Sequence, residues 1–383
     1  MSKIEVLLLK NLKEIDPVDW DLCACPEAHL QGRPFDPFTT FRFLSALEES
    51  QSVGEGTGWT PQHFVAKKNN EIIAVMPSYL KKHSQGEYIF DHNWAQAYSQ
   101  AGGRYYPKFQ SAVPFTPATG RRLLTKPGME EEGSVAILTA AQEVAKKNQI
   151  SSIHLTFCSD KDVDFSRQLN FMSRKSLQYH WLNKDYKSFD QFLDRLTSRK
   201  RKAIRKERRT ALEFGGKITQ FTGNEIKPAV WDSFWKFYQD TGARKWGTPY
   251  LTRAFFDILQ EQMRDDILLL VAERENKPIA AALNFIGRET LFGRYWGCIE
   301  DHSCLHYELC YYQAMDYALL HKLQKVEAGA QGEHKLARGY LPTIINSTHW
   351  FLNDGFNKAV ERYLDEEKKI VENQCAEILN EGP

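Results

Sequence analysis

Apolar positions recur along the chain in two periods, and each period predicts its own kind of element. Val6 to Leu9 are four apolar residues ahead of Lys10 and read as a short strand. In FTTFRFLSALEES, Phe38, Phe41, Leu44 and Leu47 stand three apart, which predicts a helix with one apolar face. HFVAKKNNEIIAVMPSYLKKH carries apolar runs on either side of Asn69-Asn70, the pattern of a hairpin. From Glu87 to Leu124 the chain is aromatic and without period, and the three prolines of YYPKFQSAVPFTPATGRRLL exclude a long helix. Gly133 to Asn148 then predicts a helix, Ser151 to Cys158 a buried strand, and Gln178 to Asn183 another strand.

The order then recurs. FDQFLDRLTSRKRKAIRKERRTALEF reads as one long helical stretch, Lys217 to Phe221 as a strand, and PAVWDSFWKFYQDT and YLTRAFFDILQEQM as two helices. ILLLVAER and KPIAAALNFIG form a hairpin across Glu275-Asn276, ETLFGRYWGCIE a third strand, and HYELCYYQAMDYALLHKL a helix with Leu309, Tyr312, Met315, Leu319 and Leu323 on one stripe. LQKVEAGA is a further strand, and NKAVERYLDEEKKIVENQCAEIL a closing helix. The similar order in both halves predicts an α/β chain of two domains of one kind, 1–185 and 186–383.

Composition narrows the function classes. A chain of 383 residues is long enough for two buried cores, and 42% apolar with 26% charged residues is ordinary for a soluble globular protein. The net charge of +1 excludes a protein acting by bulk attraction to nucleic acid or membrane, so a basic footprint has to be local. The seven cysteines are an odd set without a regular framework and are expected as reduced thiols, hence a cytoplasmic protein. No apolar run approaches a membrane span or a signal-peptide core. Cys298, Cys304 and Cys310 with His302 and His306 lack zinc-ligand spacing, and no metal is expected.

The densest chemistry lies in EAGAQGEHKLARGYLPT, Glu327 to Thr343. Glu327 closes a strand, and in open sheets ligands sit at the carboxyl ends of strands. Gly329 and Gly332 permit positive φ and close approach of backbone to a ligand. Main-chain N–H groups entering a short helix at Glu333 to Ala337 could receive an anion or oxyanion. Lys335 and Arg338 stand three apart and could hold a phosphate or carboxylate, or pair internally. Glu333, His334 and Glu327 compete for a general-base role: an imidazole titrates near neutral pH by default, a carboxylate only when burial raises it. On the preceding strand, alternation puts Arg294 and Trp296 on one face and Tyr295 on the other, suiting an acyl or peptide-like substrate. Arg294 could equally be a buried cation paired with Glu327 or Glu308. His306 and Glu308 either line the same cleft or cap the helix that follows.

Elsewhere, Arg199 to Arg209 holds eight cations and one acid, a solvated helix face or a phosphate-tracking patch. Val113 to Leu124 could line a second pocket or the domain seam, and Asp91 to Trp94 a cleft wall. His180, between aromatic residues, reads as a core histidine.

RKWGTPYLTRAFF (Arg244 to Phe256), GRYWGC (Gly293 to Cys298), LHYELCYYQAMDYA (Leu305 to Ala318), EAGAQGEHKLARGYLP and STHW (Ser347 to Trp350) together resemble the FemAB-like predicted N-acyltransferases, relatives of the peptidoglycan interpeptide-bridge enzymes. FLSALEES, VPFTPATGRRLL and QYHWLNKDYKSFDQFL extend the likeness through the first half, so it covers about residues 38 to 365. The resemblance implies two tandem GNAT-like (acyl-CoA N-acyltransferase) domains with mixed central sheets flanked by helices. It implies a splayed pair of central strands for the donor's pantetheine-like arm and a helix N-terminus for its pyrophosphate. Gln331-Gly332-Glu333-His334-Lys335 and Arg338-Gly339-Tyr340 match in part the corresponding cofactor fingerprint. The expected activity is transfer of an acyl or aminoacyl group, from acyl-CoA as co-substrate, to a small-molecule or peptide amine, with the active second domain facing the inter-domain cleft. Bridge enzymes draw on charged tRNA, for which Arg199 to Arg209 is the candidate contact. The alternatives are such an aminoacyl-tRNA-dependent transferase or a non-catalytic module recognising peptidoglycan-like peptides.

Overall fold

A computed structural model describes residues 3–245, 249–330 and 332–381. The chain divides into two units, residues 1–177 with 344–376, and residues 178–343 with 377–383.

The first unit is built on two sheets. Ile4–Leu9, His63–Lys68, Glu71–Met76 and Leu124–Thr125 lie side by side, all antiparallel. The predicted hairpin is there: Asn69 and Asn70 both take positive φ, the conformation a two-residue turn between twisted strands requires. In the second sheet Ser152–Cys158 is the hub, parallel to Lys108–Ser111 and antiparallel to residues 346–351 of the strand Leu341–Phe351. Helix Glu130–Asn148 lays Ile137, Leu138, Ala141 and Ala145 onto a core with Phe64, Ala74, Ile153 and Leu155.

The closing helix, Asp354–Glu381, sets Val360 and Leu364 against Trp94, Tyr105 and Phe351. Those contacts and the pairing of 346–351 with Ser152–Cys158 place residues 344–376 in the first unit, which differs from the expected cut at 185/186. Of Asp91 to Trp94, expected as a cleft wall, Asp91 and Trp94 face the core while His92 and Asn93 are exposed. Asp91 is buried and accepts from Lys108 Nζ and from Tyr105 at 2.7 Å, and Trp94 lies edge-on to the buried His349 at 4.8 Å. Arg122, in the turn expected to line a pocket, is also buried and donates to the Thr156 and Ala118 carbonyls at 2.9 and 2.8 Å.

The second unit carries an antiparallel meander of Lys217–Thr222, Ile267–Arg274, Lys277–Ile286 and Thr290–Cys298. Glu275 and Asn276 form its positive-φ turn. Lys325–Ala328 then adds parallel to Thr290–Cys298, and the end of Met172–Leu182 adds antiparallel to that. Helices Pro228–Lys245 and Arg253–Met263 lie between the first and second strands of the meander, and the segment from Leu305 to Leu320 crosses between its last strand and the parallel one. Each unit thus contains a sheet of mixed direction with helices beside it, the tandem GNAT-like arrangement that the resemblance implies.

Two elements differ from their sequence patterns. The long basic stretch is two helices, Phe189–Leu193 and Ser198–Leu212, because the Thr197 hydroxyl accepts from the Lys200 N–H and starts a new helix. The segment after Cys304 is not uniformly α-helical but contains a π-type turn at Glu308–Tyr312, a distortion that often marks functional sites.

Candidate active site

The site follows from how two parallel strands part. Thr290–Cys298 and Lys325–Ala328 are paired from Thr290 with Lys325 up to Gly293 with Ala328. Beyond that pair Gly329, at φ +72°, turns its chain away. On the other flank of Thr290–Cys298 the register slips: Tyr295 faces Leu283 but Gly293 faces Asn284, so Arg294 is an extra, bulged residue. Where the ladder lapses lies a cavity of about 110 Å³, lined among others by Asn284, Gly293, Trp296, His306, Tyr311 and Gly329.

The bulge changes the expected alternation. Trp296 turns to the helix side, its ring 5.2 Å from that of His306, which in turn meets Tyr311 at 5.5 Å. Arg294 instead lies over Tyr295, its guanidinium 5.2 Å from that ring, and also lines the cavity. Of the four candidate substrate residues, Arg294, Trp296 and His306 therefore come together at the cavity. Glu308 does not: it is buried, accepts from Arg208 at 2.8 and 3.2 Å, and takes a third hydrogen bond from Gln313. Its partner is a cation of the basic helix rather than Arg294.

Gly332 to Arg338 forms a tight turn against this wall. Glu333–Arg338 is a 3-10 helix of six residues, too short to present the N-terminus of an anion-binding helix. Gly332, at φ +126°, sits so close to the His334 ring that a Cβ would come within 2.6 Å of it. His334 is exposed, and its Nε2 lies 2.9 Å from the Tyr311 hydroxyl on the cavity wall. Partial burial, with the charges of Arg338 and Lys335, lowers the imidazole below its ordinary range, while burial pushes the Tyr311 phenol up. Glu333 is exposed. Glu327 is buried beside Lys325, 2.5 Å away, on the strand face opposite Val326 and Ala328, with His180 at 4.0 Å. Burial brings His180 down to about 4, so it is a neutral core histidine that hydrogen-bonds Gln178 at 3.0 Å.

The two cations of the turn point inward. Lys335 Nζ donates to the Gly329 carbonyl at 3.2 Å, and burial lowers its ammonium to about 8. Arg338 makes a two-pronged pair with Glu207 at 2.7 and 3.0 Å, donates to the His334 carbonyl at 2.6 Å, and lies 3.4 Å above the Tyr307 ring. Tyr312 donates to the same Glu207 carboxylate. Lys335 and Arg338 thus brace the His334 turn instead of presenting charge to solvent. Gln331, the remaining cofactor candidate, and Trp246 to Thr248 of the RKWGTPYLTRAFF motif lie outside the described residues.

Three participants were not singled out in the sequence. Tyr311 stood hidden beside Tyr312, whose place on the apolar stripe drew the helical reading. Glu207 was one acid among eight cations. Asn284 had a visible signal, as the one amide in the apolar run PIAAALNFI. Among the described residues no three His, Cys, Asp or Glu side chains are grouped to hold a metal ion, and no helix is long and apolar enough to cross a membrane.

No curated protein matches the chain. Solved structures do. The crystal structure of FemX covers 93% of this chain and 100% of its own at 13% identity and a TM-score of 0.55. The C-terminal domain of a putative lysylphosphatidylglycerol synthetase from Agrobacterium fabrum covers 90% and 95% at 9% identity and a TM-score of 0.55. A conserved protein of unknown function from Bacteroides thetaiotaomicron VPI-5482 covers 89% and 93% at 14% identity and a TM-score of 0.50. At such identities the likeness is one of fold. The model of the FemAB-like family, described as peptidoglycan biosynthesis/recognition, matches residues 11–383. With that match across nearly its whole length, the chain belongs to the FemAB-like family.

Proposed function

We propose that the chain is an N-acyltransferase that moves an acyl or aminoacyl group from an activated donor to an amine of a peptidoglycan-related acceptor. The parting of the parallel strands after Gly293 and Ala328, with a cavity in the gap, carries this reading. A carbonyl lodged there meets the main-chain edge of residues 294–298 that the departing strand no longer covers. N–H groups on that edge stabilise the oxyanion formed as the amine attacks. The C–N bond forms, and the bond from the carbonyl carbon to the donor's sulfur or oxygen breaks. The amine's proton passes to the Tyr311 oxygen as the Tyr311 proton passes to His334 Nε2, so His334 is the base among the three candidates. The leaving thiolate or alkoxide takes up a proton in turn.

Acyl-CoA is the first donor on this reading, its thioester in the strand gap. Lys335 and Arg338 are spent on internal partners, so its phosphates are met by other groups. A thermal-shift series with free CoA, acetyl-CoA and longer acyl-CoAs tests this. Stabilisation that grows with concentration supports acyl-CoA, and none from any of them removes it.

One observation favours aminoacyl-tRNA as the donor. In the basic helix Arg201, Arg205 and Arg208 pair with Asp194, Asp190, and Glu308 with Asp316. Arg199, Lys202, Lys206 and Arg209 instead stand exposed at steps of three, four and three, one stripe along the helix. A stripe of this kind follows a phosphate backbone. Changing all four to Gln is expected to abolish a steeply salt-dependent affinity for tRNA, and tRNA binding that survives it would contradict this donor.

A further inference from the structure

Two consecutive side chains of the basic helix Ser198–Leu212 reach inward, and they take hold of the two ends of one turn. Arg208 pairs with Glu308, the first residue of the π-type turn Glu308–Tyr312, at 2.8 and 3.2 Å. Glu207 accepts from the hydroxyl of Tyr312, the last residue of that turn. Burial, and then the Glu207 carboxylate, push the Tyr312 phenol well up, so it stays protonated and donates. Tyr311 lies between these two holds, and its hydroxyl is the one that meets His334 Nε2.

The Glu207 carboxylate has a second hold, on the other side of that contact. Its two oxygens accept from Arg338 Nη2 and Nε at 2.7 and 3.0 Å, while Arg338 Nη1 donates to the His334 carbonyl at 2.6 Å. The same guanidinium lies 3.4 Å above the Tyr307 ring, which stands 6.0 Å from the His334 ring. One carboxylate thus ties down both members of the Tyr311–His334 pair, the first through Tyr312 and the second through Arg338. Stability gives little reason for this convergence. The Glu207 side chain is 24% exposed, and an ion pair open to water adds little to folding. Glu207 is also not among the residues that line the cavity. What the arrangement fixes is geometry, and proton transfer needs donor and acceptor within hydrogen-bond reach.

Charge adds a second effect. The groups facing the imidazole are Arg338 and Lys335 of its own turn, Tyr307 and Tyr311 of the segment after Cys304, and Glu207 of the basic helix. Burial, and then the cations Arg338 and Lys335, lower the imidazole, and Glu207 acts the other way.

We propose that Glu207 is a positioning residue for the transfer reaction: by holding Tyr312 and Arg338 on one carboxylate, it keeps the Tyr311 hydroxyl in line with His334 Nε2. This deepens the acyltransferase reading and rests on it. The basic helix then serves the site from its inner side, whatever docks on its outer stripe.

The test uses the full chain, an amine-bearing peptidoglycan fragment, and acetyl-CoA or aminoacyl-tRNA as donor, with kcat followed against pH and thermal unfolding recorded. Glu207→Gln keeps the shape of the side chain and removes its charge. It is expected to melt within a few degrees of the wild type, to lose about tenfold or more in kcat, and to keep the acceptor KM within about twofold. Its acid limb is expected to move to lower pH, because Arg338 then acts on the imidazole uncompensated. A merely structural role would leave that limb in place. An acid limb at or above the wild-type position, or an undiminished kcat, overturns the Glu207 assignment and leaves the acyltransferase reading standing. Should Glu207→Gln not fold, Tyr312→Phe decides alone. A kcat lowered about threefold or more at an unchanged acceptor KM supports the assignment, and an undiminished kcat, or one that falls only with a rise in that KM, overturns it. No transfer by the wild type from either donor overturns the reading and the assignment together.

Discussion

His334 gains its proposed role from contact rather than from burial: its ring is exposed, but one nitrogen reaches the cavity through the Tyr311 hydroxyl. Replacing His334 by Ala should lower acyl transfer about 10²-fold or more, whereas Glu333→Ala, with its carboxylate in solvent, should stay near wild type. The pH profile carries the sign of the electrostatics. Burial and two nearby cations lower the imidazole below 6.5, so it is unprotonated over more of the pH range, and the acid limb of the rate should fall below pH 6.5. A limb above that value would point to another base. Lys335 offers a stability test. Its folded value of about 8 lies below the unfolded 10.5, so between those pH values the unfolded chain holds a proton the folded one lacks. Stability gains from this residue as pH rises through that window, by about 3 kcal/mol at most. Urea denaturation at both ends of the window should show the wild type gaining on Lys335→Met, and parallel behaviour of the two would contradict the burial. These side chains were recognisable in the sequence as chemistry. Their partners were not, because Arg338 meets Glu207 across 131 positions and Glu308 meets Arg208 across 100.

Elements set by local chemistry were legible, and those set by distant neighbours were not. Both two-residue turns, Asn69-Asn70 and Glu275-Asn276, announce themselves through residues flanked by apolar runs. The strand Leu341–Phe351 escaped because its polar residues find partners only in the fold: His349 Nδ1 meets His154 Nδ1 at 2.7 Å, and Ser347 meets His349 Nε2 at 2.8 Å. The bulge at Arg294 and the π-type turn at Glu308–Tyr312 are likewise tertiary features, and they are what bring Trp296, His306 and Tyr311 to one wall. Gly297, within the GRYWGC motif, shows how tightly the elements around the site are fitted. A Cβ there would come within 2.3 Å of the Phe237 carbonyl oxygen in helix Pro228–Lys245, and backbone cannot swing aside as a side chain can. Gly297→Ala should therefore destabilise the chain by about 3 kcal/mol in chemical denaturation. A change below about 0.5 kcal/mol would show that this helix packs less closely than described.

At the scale of the whole molecule, the repeated element order was enough to predict two α/β units of one kind, but not where the chain divides. Residues 344–376 belong with the first unit through the pairing of 346–351 with Ser152–Cys158 and through Val360 and Leu364 on Trp94. A fragment of residues 1–185 lacks both contacts and should show no cooperative urea transition, whereas the full chain should. A cooperative transition in the fragment would restore the simpler division.

The central claim is that the gap between the parting strands is where an activated acyl group meets an amine. Gly293 gives the most direct access to it, since it lines the cavity, a Cβ there has no neighbour closer than 3.4 Å, and its φ is not positive. Gly293→Val should fold and fill the gap with its branches. The measurement is transfer of a labelled acetyl or aminoacyl group to an amine-bearing peptidoglycan fragment by wild type and Gly293→Val, with the thermal unfolding of both recorded. The account predicts transfer by the wild type and a loss of about 10²-fold or more in a variant that melts within a few degrees of it. Undiminished transfer by the plugged chain, or none by the wild type from either donor, would contradict it.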